Sequence, residues 1–397
     1  MKQIMLKSLS KIMKRITIVL LSSFISVHII SIIVFPVYDV PTPKGEYLIG
    51  TESFIIEDES RLELYTDDAM DYRRFKVQFW YPAASVTGYE RLPWLEDGVT
   101  VARGLAKDIG LPFFVLDHTA HILSNAYENA PLSEVSSTYP VVIISHGWRG
   151  FRNLHTDFAE ELASYGYVVV GIDHTYGSVA TVFSDDDVAY LNRDALPDRE
   201  TTSDFLMYAN QLVSTYASDI TSTINYLETI NDDLSSSRFK GKIDLTKIGL
   251  LGHSTGGGAG TSVALNDTRI DAIIGLDAWV EPISDEDIDK GLLIPSLYIR
   301  SETWETGVNN TTLNTLINQS SFQPLLYQID GTTHYDFTMV YMYSPVTKYI
   351  GFSGSIDGKY LNSILKSMMT TFFNNTLKDD EMSEINIDSW KEVNLIP

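Results

Sequence analysis

Apolar and polar positions recur along this chain with two different periods, which separate its strands from its helices. Arg73 to Pro82 (RRFKVQFWYP) places Phe75, Val77, Phe79 and Tyr81 on one face at a spacing of two, as a half-buried strand requires. From Tyr139 onward the strand candidates become short, nearly continuous apolar runs: Tyr139–Ser145, Tyr167–Ile172, residues 247–252, Asp271–Leu276, Ile294–Ile299 and Pro324–Ile329. Helical stretches fall between or after them, over Phe151–Ser164, about Ser203–Ile230, the residues after Ser254, and near Lys359–Leu377. In the longest of these, Phe205, Leu212, Tyr216, Ile220, Ile224 and Leu227 lie near one face. Such strands leave no polar side for solvent, so the alternation predicts an α/β protein with a mostly parallel sheet covered by helices on both faces. No internal repeat breaks the pattern, and one domain is expected over residues 37–397. Within it, residues 90–135 carry helix-like pieces such as Val101–Lys107 and read as a cap-like insertion ahead of the core.

The N-terminus follows neither period. Ile16 to Phe35 is an uncharged run of twenty residues, preceded by Lys2, Lys7, Lys11, Lys14 and Arg15 and closed by Pro36. Twenty helical residues rise about 30 Å, the thickness of a bilayer core. Residues 1–36 are therefore expected to be a signal anchor forming a transmembrane helix. The positive-inside rule puts the N-terminus in the cytoplasm and the body outside. No small-x-small cleavage site follows the run; release of a secreted body after signal cleavage is the alternative. Val37 to Glu46, rich in Pro and Gly, reads as the linker between anchor and domain.

Charge and cysteine narrow the classes of partner. The formal net charge is −23, and all five basic residues of the first fifteen positions precede the first acid, Asp39, so the body is more acidic still. An acidic surface argues against nucleic acid, whose phosphates need a basic one. With no cysteine in the chain, disulfides, thiol nucleophiles and thiolate metal sites are excluded. The pair in His118-Thr119-Ala120-His121 has no acidic companions at useful spacing, so neither a metal nor a cofactor is expected.

The chemistry concentrates at Gly252-His253-Ser254-Thr255-Gly256, which follows the apolar run Lys247–Leu251 and leads into Gly257-Gly258-Ala259-Gly260. G-x-S-x-G between a strand and a helix forms a sharp turn that exposes the serine hydroxyl beside the first amides of the helix. This context implies a serine hydrolase of the α/β-hydrolase fold with Ser254 as nucleophile. A serine hydroxyl needs a base, and the base an orienting acid; on this fold they follow in the order acid, then histidine. Only His334 lies C-terminal to Ser254, after the run 324–329. For the acid two positions compete at strand ends, Asp277 after 271–276 and Glu302 after 294–299, and residue chemistry alone does not separate them. The amide of Thr255 and that of Trp148, in the loop after 139–145, are the expected oxyanion donors. His146 is expected to buttress that loop. Trp279 and Trp304 are candidates for the wall of a substrate pocket.

Taken together, these residues resemble the platelet-activating factor acetylhydrolase family of the plasma, isoform II type. The likeness runs from roughly Pro41 to Leu377. Its carriers include Phe79-Trp80-Tyr81-Pro82, Pro93-Trp94-Leu95, Ser145-His146-Gly147-Trp148-Arg149-Gly150, the elbow itself, Leu276-Asp277-Ala278-Trp279, Ser301-Glu302 and Gly354–Gly358. The family takes its acid from the Leu-Asp-Ala-Trp string, so the resemblance favours Asp277 over Glu302. It also implies a calcium-independent, phospholipase A2-type esterase without cofactor, acting on short or oxidised sn-2 acyl groups of phospholipids. Two departures lie at the site: Trp148 stands where an aliphatic residue is commoner, and His334-Tyr335-Asp336-Phe337 is shorter than the usual stretch. A broad carboxylesterase for soluble or polymeric esters, and a surface protein keeping the fold without turnover, are the competing readings.

Overall fold

The computed structural model describes residues 2–232, 234, 236–378 and 383–397; side chains of residues 2–10, 12, 27, 28 and 31 are not described. The first helix, α1, spans Lys2–Val34. Two long strands follow, β1 (Leu48–Leu62) and β2 (Tyr72–Ala83), then β3 (Arg91–Pro93), α2 (Gly98–Asp108) and β4 (Leu123–Glu128). The alternating part begins with β5 (Tyr139–Ser145), α3 (Thr156–Ser164) and β6 (Val168–Asp173), interrupted by a hairpin of β7 (Ala180–Ser184) and β8 (Asp187–Tyr190). It continues through α4 (Phe205–Asn231), β9 (Ile243–His253), α5 (Thr255–Asn266), β10 (Ala272–Leu276), α6 (Asp285–Ile288), β11 (Ser296–Ser301), α7 (Val308–Gln319) and β12 (Leu325–Ile329). Helix α8 (Gly358–Leu377) and the edge strand β13 (Val393–Ile396) close the chain.

Eleven strands form one sheet in the order β13-β12-β11-β10-β9-β5-β6-β2-β1-β4-β3. Strands β12, β11, β10, β9, β5 and β6 run parallel; β2 and β13 pair antiparallel at either side of this block. The apolar runs behave as their composition requires, because both faces are buried. In β5, Val141 and Ile143 join the core beneath α4 and α5, while Val142 and Ile144 join the one beneath α3 and α8. Burial of side chains on both sides is what makes these strands read as continuous rather than alternating.

Several expectations change. Strand β1, the edge strand β13, the β7–β8 hairpin and α7 add to the elements that the apolar pattern predicts. Residues 90–135 supply β3 and β4 to the main sheet, and a third core cluster gathers Trp94, Val101, Phe151 and Met339 around α2. The segment 37–46 is no free linker. The Val40 amide donates to Leu123 O at 2.9 Å, and the Gly45 amide donates to Ser164 Oγ at 3.0 Å. Val40 is itself buried, so this stretch is a strap laid on the domain.

The transmembrane expectation needs the firmest correction. Among the described residues, no helix is long and apolar enough to cross a membrane. The run Ile16–Phe35 lies largely within α1, and part of it, the side chains at 27, 28 and 31, lies outside the described residues. What is described is a helix with Ile16, Ile18, Val19, Leu20, Leu21 and Phe24 exposed. Its end is tied to the domain, where Ser344 Oγ donates to Val34 O at 2.6 Å and the Phe35 ring meets that of His118.

Candidate active site

Strand β9 ends at His253, and the next residue turns the chain into α5 with φ 55° and ψ −119° at Ser254. That conformation is strained for a residue bearing a Cβ and persists only where the surroundings enforce it. The surroundings here are backbone. A Cβ at Gly252 would come within 2.3 Å of Gly256 O, and one at Gly256 within 2.1 Å of Ser145 O. The Ser254 amide donates to Leu276 O at 3.0 Å, and Ser254 O accepts the Trp279 amide at 2.8 Å. The elbow is thereby pinned to the end of β10, where Asp277 stands.

Asp277 is buried, also with positive φ (40°), and has both carboxylate oxygens occupied. Ser301, at the end of β11, donates its amide to Oδ1 and its hydroxyl to Oδ2, each at 2.7 Å. Oδ2 also accepts Nδ1–H of His334 at 2.9 Å. His334 opens the short turn after β12 and is held from two more directions. His253 Nε2–H donates to His334 O at 3.0 Å, and the Trp304 indole stacks on the imidazole with centroids 4.4 Å apart and planes within 3°. Burial and the nearby histidines hold the His253 imidazole well below its ordinary pKa, so it is a neutral Nε2–H donor near pH 7.

The loop after β5 reaches over the elbow. A Cβ on Gly147 would lie 2.8 Å from Ser254 Cβ, so only glycine lets this loop approach so closely. The next amide, of Trp148, donates to Thr255 Oγ1 across the gap at 3.3 Å, a long bond easily exchanged for a better acceptor. Thr255 opens α5, so its own amide is one of the unpaired donors of a helix N-terminus. His146 is a structural prop: Nδ1–H donates to Gly147 O at 2.7 Å and Nε2 accepts from Ser178 Oγ at 2.9 Å.

The two remaining candidates part ways. Glu302 does not reach the histidine ring; its Oε2 accepts the Gly331 amide at 2.8 Å. Trp279 packs against Phe205 and turns its indole Nε1–H toward Glu281 Oε2 at 3.3 Å. Sequence reasoning passed over Ser301 and His253, although both sit beside named motif residues. The signal was there: each is a donor immediately adjacent to a strand-end residue of the site.

A second Ser–His–Asp chain tests which arrangement can act. His174 Nδ1–H donates to Asp219 Oδ2 at 2.9 Å, and Ser145 Oγ lies 2.8 Å from His174 Nε2. All three residues are buried, and Arg73 holds Asp219 with two further bonds of 3.0 and 2.6 Å. Shut away from substrate, this chain is scaffold beneath the loop after β5. The elbow serine, by contrast, is only partly buried and sits in a strained turn at the end of β9, with the Asp277–His334 pair beyond the ends of β10 and β12. Among the described residues, no group of three or more His, Asp or Glu side chains is placed to hold a metal ion.

A mostly parallel α/β sheet with a strained serine turn and an acid–histidine pair at nearby strand ends suits a carboxylic ester hydrolase, and that is the class of the proteins this chain is similar to. The fold resembles that of a ferulic acid esterase from Streptomyces cinnamoneus, with TM-score 0.73 and 21% identity over 91% of this chain and 99% of that one. Residues 32–393 match the model of platelet-activating factor acetylhydrolase, isoform II, and the chain belongs to that family. Relatives include the platelet-activating factor acetylhydrolases of Canis lupus familiaris and Gallus gallus. The first is 24% identical over 90% of this chain and 82% of its own length; the second is 23% identical over 81% and 77%. A probable 1-alkyl-2-acetylglycerophosphocholine esterase of Arthroderma benhamiae is 29% identical over 36% of this chain and 33% of its own.

Proposed function

We propose that the protein hydrolyses short or oxidised sn-2 acyl groups of phospholipids, as its family membership suggests, through a Ser254–His334–Asp277 triad and an acyl-enzyme. The observation that carries this reading is the 2.9 Å bond from His334 Nδ1–H to Asp277, beside a serine held at φ 55°. Ser254 Oγ attacks the ester carbonyl carbon while His334 Nε2 takes its proton, and Asp277 stabilises the imidazolium. The amides of Trp148 and Thr255 donate hydrogen bonds to the carbonyl oxygen as negative charge develops on it. His334 then returns the proton to the departing lysophospholipid oxygen, and water, activated by the same histidine, releases the fatty acid. No metal takes part, so activity persists in EDTA. Residues 37–397 act as one catalytic unit. The basic start and exposed apolar side chains of α1 support an export segment that delivers this unit outside the cell as a secreted enzyme.

The test is hydrolysis of an sn-2 acyl-length series of phosphatidylcholines beside a dissolved p-nitrophenyl ester series, with fluorophosphonate labelling. A steep preference for acetyl and short oxidised chains, with labelling lost in Ser254→Ala, is the expected result. Equal rates on all short esters and none on phospholipid identify a broad carboxylesterase, and absence of labelling in the wild type removes the triad.

A further inference from the structure

The three-residue helical turn Glu302–Trp304, together with Ser301 before it, touches every moving part of the acid–histidine pair. Ser301 binds both oxygens of Asp277 and also lies 3.0 Å, Oγ to Oγ1, from Thr303. Glu302 accepts the amide of Gly331, three residues before His334. Trp304 lies flat on the imidazole itself. Four consecutive residues thus hold the acid, the loop carrying the base, and the plane of the base.

We propose that Trp304 is a positioning residue for this reaction. Its indole fixes the plane of the His334 ring and stabilises the imidazolium formed when Ser254 attacks. The inference rests on the triad reading above. An indole face attracts a cation lying over it, and the attraction exists only in the protonated state of the histidine. A stack with planes within 3° gives that contact with little loss of ring freedom still to incur, since Asp277 Oδ2 already fixes Nδ1. The sequence suggested Trp304 as a pocket wall. Its partners instead include the rear of the site: with Gly275, Asp277, Ala278 and Tyr298 it lines a small cavity behind the acid.

Other charged and titratable groups bear on the same histidine and stay constant in the test. Asp277 accepts from Nδ1, and the neutral His253 approaches with ring centroids 4.5 Å apart. Tyr335 packs edge-on, and Asp336 accepts the amide of Thr333. Glu302 binds Gly331, Arg300 bonds Gln328 and Asn310, and Glu305 accepts from Gln328.

The experiment compares Trp304→Phe and Trp304→Leu with the wild type in the full chain, using a dissolved short-chain ester across pH 4.5 to 9. Removing the aromatic face makes the imidazolium less stable. In Trp304→Leu the acid limb of the kcat/KM profile therefore shifts to lower pH by about half a unit. kcat falls roughly tenfold with KM little changed, while Trp304→Phe keeps the limb in place and restores most of the rate. If both variants lose rate equally with an unmoved acid limb, Trp304 only fills space. A raised KM with kcat and limb unchanged makes it a substrate wall. Either result overturns the proposal while fluorophosphonate labelling of Ser254 persists; loss of labelling in the wild type would instead sink the triad reading.

Discussion

Asp277 Oδ2 accepts the Nδ1 hydrogen of His334 at 2.9 Å, and Ser301 fills the rest of that carboxylate with two bonds of 2.7 Å. The next residue, Glu302, points elsewhere and holds Gly331. Two strand-end acids that compete on paper are thus divided by one residue of register: the strand end turns Ser301 toward Asp277 and Glu302 toward the neighbouring loop.

Substituting the two acids reads this division directly. Asp277→Asn leaves the shape intact but presents an amide to the histidine, favouring the wrong tautomer, and kcat drops by about 10⁴. Glu302→Gln keeps an acceptor for Gly331 and costs at most about tenfold. Steady-state kinetics on a dissolved ester, with circular dichroism to check folding, gives the ranking; the reverse order would assign the acid to Glu302.

Gly147→Ala probes the approach of the loop after β5. The added methyl would lie 2.8 Å from Ser254 Cβ and 3.2 Å from His253 Nδ1, so the loop must withdraw. Withdrawal carries the Trp148 amide away from the oxyanion position. A loss of roughly 10²-fold in kcat is expected, without loss of fold. An alanine variant of near-normal kcat would exclude Trp148 as a donor.

Buried histidines make stability depend on pH. Burial holds His155 down to about 4, and holds His146, His174 and His253 below their ordinary value, so the folded state keeps them neutral. The unfolded chain takes up those protons near 6.5. Stability from this source is therefore full above about 6.5 and is lost as pH falls toward 4. For His155, with a folded value of about 4, the loss amounts to roughly 3 kcal/mol. Buried Glu160, pushed up to about 7, and Asp157, pushed up to about 6, act in the opposite sense. Urea unfolding of His155→Leu between pH 7.5 and 4.5 should show a shallower fall than the wild type, whatever its absolute stability. An identical slope would contradict the assignment.

The strap changes where the chain can be cut. Deleting residues 1–30 leaves the tie at Val34 and the ring contact of Phe35 in place, and the remaining protein should melt like the full chain. Deleting residues 1–46 removes buried Val40, its bond to Leu123 and the Gly45 bond to Ser164, and should lower Tm by several degrees. Thermal melts in mild detergent decide this, while N-terminal sequencing of the native protein shows whether a segment ending near Phe35 is removed. Equal melts for both deletions would return 37–46 to the status of a linker.

The sequence by itself determined the parallel block from β5 to β12, because strands buried on both faces must be apolar throughout and so announce themselves. It also marked Ser254, whose strained turn requires small neighbours, and His334, the one histidine beyond it. Strand β1 escaped notice because Glu52 and Asp58 on one face and Glu57 on the other leave only a broken alternation. Strand β13 is four residues at an edge, too short for a period to register. The family resemblance already favoured Asp277 over Glu302; only the tertiary structure shows Asp277 bonded to His334, lays Trp304 on the imidazole, and sets the partly buried Ser254 apart from the buried Ser145–His174–Asp219 chain. Those are matters of direction and solvent access between residues far apart in the chain, and a linear pattern records which side chains are present but not which way a strand end turns them.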